Sequence, residues 1–245
     1  MNADTATQLR LLDLQAADTS LEQLAHRRRS LPELAALAER TSAAQALHDE
    51  VVDARTSLDD IATDQKRVEA DVETVRARTT RDEARLQTGG LPSRELESLQ
   101  HEIATLARRQ SSLEDDVLEI MERAEQAESA LTDAQRKHDE LDVEITDLQR
   151  RRDAAFAEID AATAARTPER EGIAAGIPTD LMALYERARA HSGTGAALLR
   201  QRRCEGCHIE LSGSELAAAR RADDDTVLRC ENCRAILVRT AESGL

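Results

Sequence analysis

Glycine is missing from residues 1 to 88 of this chain, appears as the pair Gly89-Gly90, and is missing again until Gly172. Helix interiors exclude glycine and proline, so two long stretches parted by Gly89-Gly90-Leu91-Pro92-Ser93 read as two helices and a turn. The apolar spacing agrees. From Leu96 a 3-4 alternation runs through Leu99, Ile103, Leu106, Leu113, Val117 and Ile120 to Ile159 and Ala162, broken only by Gln110, His138 and Arg152. Before the turn the same rule selects Leu47, Val51, Ala54, Leu58, Ile61, Gln65, Val68, Val72, Val75, Thr79, Asp82 and Leu86. This is the seam of a coiled coil.

At 1.5 Å per residue the second arm spans on the order of 100 Å, and such a helix does not stay folded without a partner. The turn is short, so the partner is the first arm, running antiparallel. Residues then face one another when their numbers sum to about 181, a value set by where the turn falls. Leu47 is expected near Ala134 and Ile61 near Ile120, and residues 1–18 fall opposite 163–180. The amino-terminal segment therefore belongs at the base of the shaft. Upstream of Leu47, Leu21, Leu24, Leu31 and Leu34 leave the phase, and Pro32 predicts a kink near Ser30-Leu31-Pro32.

Composition excludes an ordinary globular core. Aromatic residues make up 1% of the chain (Phe156 and Tyr185), while 33% is charged and the apolar share is mostly Ala and Leu. Regular apolar spacing excludes disorder. No apolar run approaches the roughly 18 residues that span a bilayer, and none of the segments suggests a membrane partner. The net charge of −15 argues against wholesale wrapping by nucleic acid, yet from Leu199 onward eight arginines balance eight acids. An anionic partner would meet this charge-balanced head by local steering.

The carboxyl-terminal third is organised differently. Thr167-Pro168 to Gly176 reads as a linker, and Pro178-Thr179-Asp180 opens a short helix with Leu181, Leu184, Tyr185 and Ala188 on one face, stopping at Gly193 or Gly195. A strand is expected over 196–202. Ser212-Gly213-Ser214-Glu215 matches a capping box ahead of a helix to Arg221, and 226–229 with 236–239 suggest a small hairpin. The expected architecture is mainly α: a long antiparallel coiled-coil hairpin over 1–166 with its apex at 88–95, a linker and short helix over 167–195, and, given the four cysteines paired as Cys204/Cys207 and Cys230/Cys233, a zinc ribbon over 196–245.

The ribbon assignment rests on the cysteines. All four lie in two C-x-x-C pairs, Cys204-Glu205-Gly206-Cys207 and Cys230-Glu231-Asn232-Cys233, with 22 residues between the pairs. Each tight turn aims two sulfurs at one centre, so two turns supply a tetrahedral thiolate set for one Zn2+. Disulfides would need an oxidising compartment. Met1-Asn2-Ala3-Asp4 opens a polar segment, so the expectation is a reduced, cytoplasmic protein. Four thiolates leave no open position for water, which makes the metal structural and the protein a binder rather than an enzyme. No Ser-His-Asp set or phosphate loop is visible, and no small-molecule substrate is expected. His208 adjoins the site, but four cysteines suffice without it. His138 and Arg152, which interrupt the seam, read as register markers or snorkelling side chains.

These stretches together resemble the bacterial four-cysteine zinc-ribbon proteins with a long amino-terminal coiled-coil hairpin. The resemblance is carried by Ser93-Arg94-Glu95-Leu96-Glu97-Ser98-Leu99 at the apex, by Leu113-Glu114-Asp115-Asp116-Val117-Leu118-Glu119-Ile120, and by the two cysteine turns through Ile236-Leu237. It implies a non-enzymatic adaptor. Some members of that group contact RNA and an alternative sigma factor in flagellar gene expression. Where they have Gly-Arg after the last cysteine, this chain has Arg234-Ala235, so Arg234 must accept a backbone angle suited to glycine or the turn must differ. Arg200, Arg202, Arg203, Arg220, Arg221, Arg234 and Arg239 are the candidates for RNA or DNA contact, alongside a protein partner for the hairpin. The chain lacks aromatic platforms for unstacked bases, which favours backbone contact over sequence readout. The competing expectation is a structural spacer whose zinc only folds the cap.

Overall fold

A computed structural model describes all residues from Met1 to Leu245. In chain order it contains α1 (Thr5–Arg29), α2 (Pro32–Thr88), α3 (Ser93–Ala175), α4 (Thr179–Ser192), β1 (Ala196–Arg200), β2 (Arg203–Cys204), α5 (Gly213–Arg221), β3 (Leu228–Arg229), β4 (Ile236–Val238) and a 3-10 turn (Ala241–Ser243). Two compact units result. One is Ala35–Arg150; the other joins Met1–Leu34 to Arg151–Leu245.

The first unit is the paired part of α2 and α3. Every seam residue named above in α2 is buried or half-buried, and so is every one in α3 within this unit except Leu96, which lies beside the turn. Ile61, Val68, Val72, Leu113 and Ile120 form its central cluster, and both Ile61 with Ile120 and Val68 with Leu113 satisfy the expected pairing. Ion pairs flank the seam: Arg76 with Glu114 at 2.8 Å, Arg40 with Glu144 at 3.0 Å, and Arg78 with Glu102. They are exposed and screened by water, so they serve register more than stability. Gly89 and Gly90 adopt φ of 72° and 83°, which is why the turn needs glycine.

The second unit packs α1, the end of α3 and α4 against a four-stranded sheet of order β2-β1-β4-β3. β1 runs parallel to β4, and the other two pairs are antiparallel. Leu11 and Leu14 of α1 meet Leu181 and Tyr185 of α4 and reach Ala196 and Ile236 of the sheet. The amino-terminal segment goes further than the pairing arithmetic required. Asn2 bridges to Thr226, the Ala3 N–H donates to the Asp225 carbonyl at 2.7 Å, and the Val227 N–H donates to the Met1 carbonyl at 3.1 Å.

The kink falls where proline placed it: α1 ends at Arg29, Ser30 caps it by bonding to the His26 carbonyl, and Pro32 begins α2. The expected break at Thr167-Pro168 is absent. α3 continues through Pro168 to Ala175, so 167–175 is helix rather than linker. An internal proline costs about 3 kcal/mol, and here burial beyond it offsets that cost: Arg170 reaches Asp18 at 2.9 Å, and Ile173 and Ala174 pack against the α1–α4 cluster. The base of the shaft (1–34 and 151–166) accordingly groups with the ribbon's unit and not with the rest of the expected 1–166 hairpin.

Candidate metal centre

The four cysteines come from two similar turns. In the first, the His208 N–H donates to the Cys204 carbonyl at 2.7 Å; in the second, the Arg234 N–H donates to the Cys230 carbonyl at 3.0 Å. The Cys204 N–H then bonds to the Ile209 carbonyl, and the Cys230 N–H bonds to that of Ala235. His208 and Arg234 occupy equivalent places and both have left-handed backbones, φ 60° and 65°. Arg234 therefore accepts the glycine-type angle, and the turn is preserved.

Cys204, Cys230 and Cys233 are buried and Cys207 is half-buried, with all four sulfurs within 4.8 Å of one another. The Cys204–Cys233 and Cys207–Cys230 sulfur separations are both 3.8 Å. A tetrahedron of thiolates bonded at ~2.3 Å has edges of ~3.8 Å, so the donor set fits zinc as it stands. Burial pushes the Cys204 and Cys233 thiols up, against backbone N–H groups that favour the thiolate. At Cys207 burial also opposes ionisation, but the Ile209 N–H and the Asn232 side chain prevail and lower the thiol to about 7. His208 is exposed and stands outside the cluster.

The arginines divide by what holds them. Arg200, Gln201, Arg202 and Arg203 make the tight connection between β1 and β2, with Arg200 paired to Arg203 across the ladder. Gln201 and Arg202 both have positive φ, 47° and 64°. A two-residue turn of this kind is ordinarily built from Asn-Gly. It is pinned from the chain's end, since the Gln201 and Arg202 N–H groups donate to the carbonyls of Glu242 and Ser243. Arg200 pairs with Glu242 at 2.9 Å and Arg202 bonds to the Gly244 carbonyl, while all three arginines remain exposed. Arg220, Arg221 and Arg234 are also exposed.

Arg239 is different. Its half-buried guanidinium donates through both terminal nitrogens to the carbonyls of Ala219, Ala222, Asp223 and Thr226, closing the end of α5. The 3-10 turn at 241–243 and the Asn2 bridge were not anticipated. Short polar segments such as Thr240-Ala241-Glu242-Ser243 have no periodicity to announce them.

Fold and site together define a coiled-coil hairpin carrying a four-cysteine ribbon. The chain belongs to the family of the CT398-like coiled coil hairpin domain, which matches residues 14–193, and its residues 203–237 match the C4-type zinc ribbon domain. It is 37% identical over 239 residues to the protein Rv2229c of Mycobacterium tuberculosis, covering 98% of each. A solved structure from Mycobacterium smegmatis superposes with a TM-score of 0.86 at 36% identity, over 98% of this chain and all of that one. CT398 of Chlamydia trachomatis shares the fold at 16% identity, with a TM-score of 0.77 over 96% of this chain and 98% of its own.

Proposed function

We propose that this protein is a non-enzymatic adaptor: the ribbon, folded around one structural zinc, binds an anionic macromolecule, and the hairpin offers a separate surface to a protein partner. The reading is carried by the Arg200–Arg203 turn. Non-glycine residues in left-handed backbone cost on the order of 1–3 kcal/mol each and persist where the surroundings hold them, as the chain's last residues do here. That cost places three exposed arginines beside the first cysteine turn, where charge and not base stacking would make the contact. RNA or DNA is the partner class that the arginines and the family resemblance favour, bound through its backbone.

The zinc's part is to fix the two cysteine turns. Cys204, Cys207, Cys230 and Cys233 would fill its coordination, leaving no position for a substrate or a reactive water. The reading is tested by gel-shift titration of the full chain with single-stranded RNA and duplex DNA at two salt concentrations. Binding should weaken steeply with salt and lose roughly one unit of salt slope with each of Arg202→Ala and Arg203→Ala. No binding at low salt sinks the nucleic-acid half.

The rival reading, a spacer whose zinc only folds the cap, draws on Arg239, whose donors meet backbone carbonyls, and on the surface Arg200–Glu242 pair, which neutralises one arginine of the turn. Partner capture that is indifferent to the Arg202 and Arg203 substitutions would favour it.

A further inference from the structure

Within the α2–α3 pair, the seam carries a histidine where its pattern calls for an apolar residue. The side chain of His138 on α3 is only 26% exposed, and across the seam its ring centre lies 6.0 Å from that of His48 on α2, with the planes tilted by 50°. One turn further along α3, an Asp142 carboxylate oxygen sits 3.5 Å from His138 Nδ1, and an Asp139 oxygen approaches the same nitrogen at 3.8 Å. Two imidazoles from one helix pair and a carboxylate at the i+4 position make a nitrogen–oxygen donor set. Such a set suits first-row divalent transition ions, unlike the all-sulfur ribbon site.

The spacings suit an ion as well. Ligand bonds of ~2.1 Å in tetrahedral array hold neighbouring donor atoms ~3.4 Å apart, close to the His138–Asp142 separation. By the same geometry, two imidazoles on one ion hold their ring centres about 5.3 Å apart, which the observed 6.0 Å reaches by a side-chain shift of under ~1 Å.

We propose that His138, Asp139 and Asp142, whose donor atoms lie within 4.8 Å of one another, form with the exposed His48 across the seam a second metal site that takes zinc or a neighbouring divalent transition ion, His48 turning toward the ion as it binds. An ion there ties α2 to α3 by coordination at a layer where apolar packing is interrupted. The donors are borderline and partly exposed, so the site fills and empties with available metal, while the ribbon keeps its own.

The test uses the full chain. Wild type, His138→Leu, His48→Ala and Asp142→Asn are dialysed against the same excess of zinc, and bound metal per chain is counted by elemental analysis. His138→Leu supplies the residue type the seam otherwise uses, and circular dichroism verifies that the helices stay formed. Each variant should bind one zinc fewer than wild type, whatever the ribbon holds, while His101→Ala should match wild type. Added zinc should also raise the melting temperature of the helical signal more in wild type than in His138→Leu, whose only shift comes through the ribbon. Equal zinc content in wild type and His138→Leu overturns the proposal, as does a melting shift of equal size in the two.

Discussion

The hydroxyl of Tyr185 donates to the carboxylate of Asp18 at 2.7 Å, across 167 residues of sequence. Asp18 is 1% exposed and also meets Arg170 at 2.9 Å and Arg189 at 3.1 Å, so one buried carboxylate joins α1, α3 and α4. Burial, followed by the bond to Asp18, pushes the Tyr185 hydroxyl up, so it remains a donor at any ordinary pH. Removing the carboxylate takes the buried partner from Arg170 and Arg189 and leaves them the more exposed Glu186 and Glu22. We expect Asp18→Ala to cost about 2–3 kcal/mol and Tyr185→Phe about 1 kcal/mol. Denaturant unfolding that reads the unit containing α1 and α4 checks both, and equal small losses would remove the network from the stability argument.

Arg234 and His208 hold left-handed backbones that cost glycine little. Arg234→Gly should stabilise the ribbon by about 1 kcal/mol, and Arg234→Val should destabilise it, because a β-branched residue fits that region worst. Zinc retention against a graded chelator reads both changes. Arg234→Gly releasing metal more readily than wild type would contradict the backbone account.

Chelation, or serine at any one cysteine, should unfold the sheet and loosen α1 and α4, since Ile236 and Ala196 of the sheet belong to the cluster that holds Leu11, Leu14 and Leu181. Helix within residues 35–150 has its own core and should persist. The far-ultraviolet helical signal should therefore fall in part, with amide exchange accelerating outside 35–150. Complete loss of helix would show that the two units do not fold separately.

Glu215 supplies a pH dependence. The Ser212 N–H holds its carboxyl below the usual range against modest burial, and the Glu231 N–H beside the second cysteine turn adds to the effect. A depressed folded value means that the contribution is present above the unfolded carboxylate pKa and is lost as pH falls through the folded one. Glu215→Gln should flatten the ribbon's stability over that acid range. Ser212→Ala removes the other half of the capping box and should cost about 1 kcal/mol at neutral pH.

Ile61 and Ile120 give the register its test. Each alanine substitution should cost about 2–5 kcal/mol. Because both residues sit in one cluster, the double variant should depart from additivity by about 0.5 kcal/mol or more, whereas Ile61 with Leu99 should add simply. Additive losses at 61 and 120 would reject the pairing.

The hairpin and the cysteine cluster were legible because each depends on a repeated spacing: 3-4 steps over many turns in one case, and two residues between sulfurs in the other. Pro168 misled for an identifiable reason. Its local cost was readable, but the burial of Arg170 and Ile173 that outweighs it depends on α1, more than 150 residues away in sequence. Arg239 was indistinguishable from its neighbours, since four carbonyls converging on a guanidinium leave no trace in residue order. The left-handed turn at Gln201-Arg202 was equally silent, because the residues that usually mark it are absent.

The bond between Asn2 and Asp225 spans 223 residues. During synthesis Asn2 therefore acquires this partner only after residue 225 has been made, while residues 35–150 can zip together as soon as the second arm leaves the ribosome. The exposed faces of Leu11 and Leu14 are a transient liability through that interval, and the order of assembly is written into the topology: rod first, base and knob together afterwards.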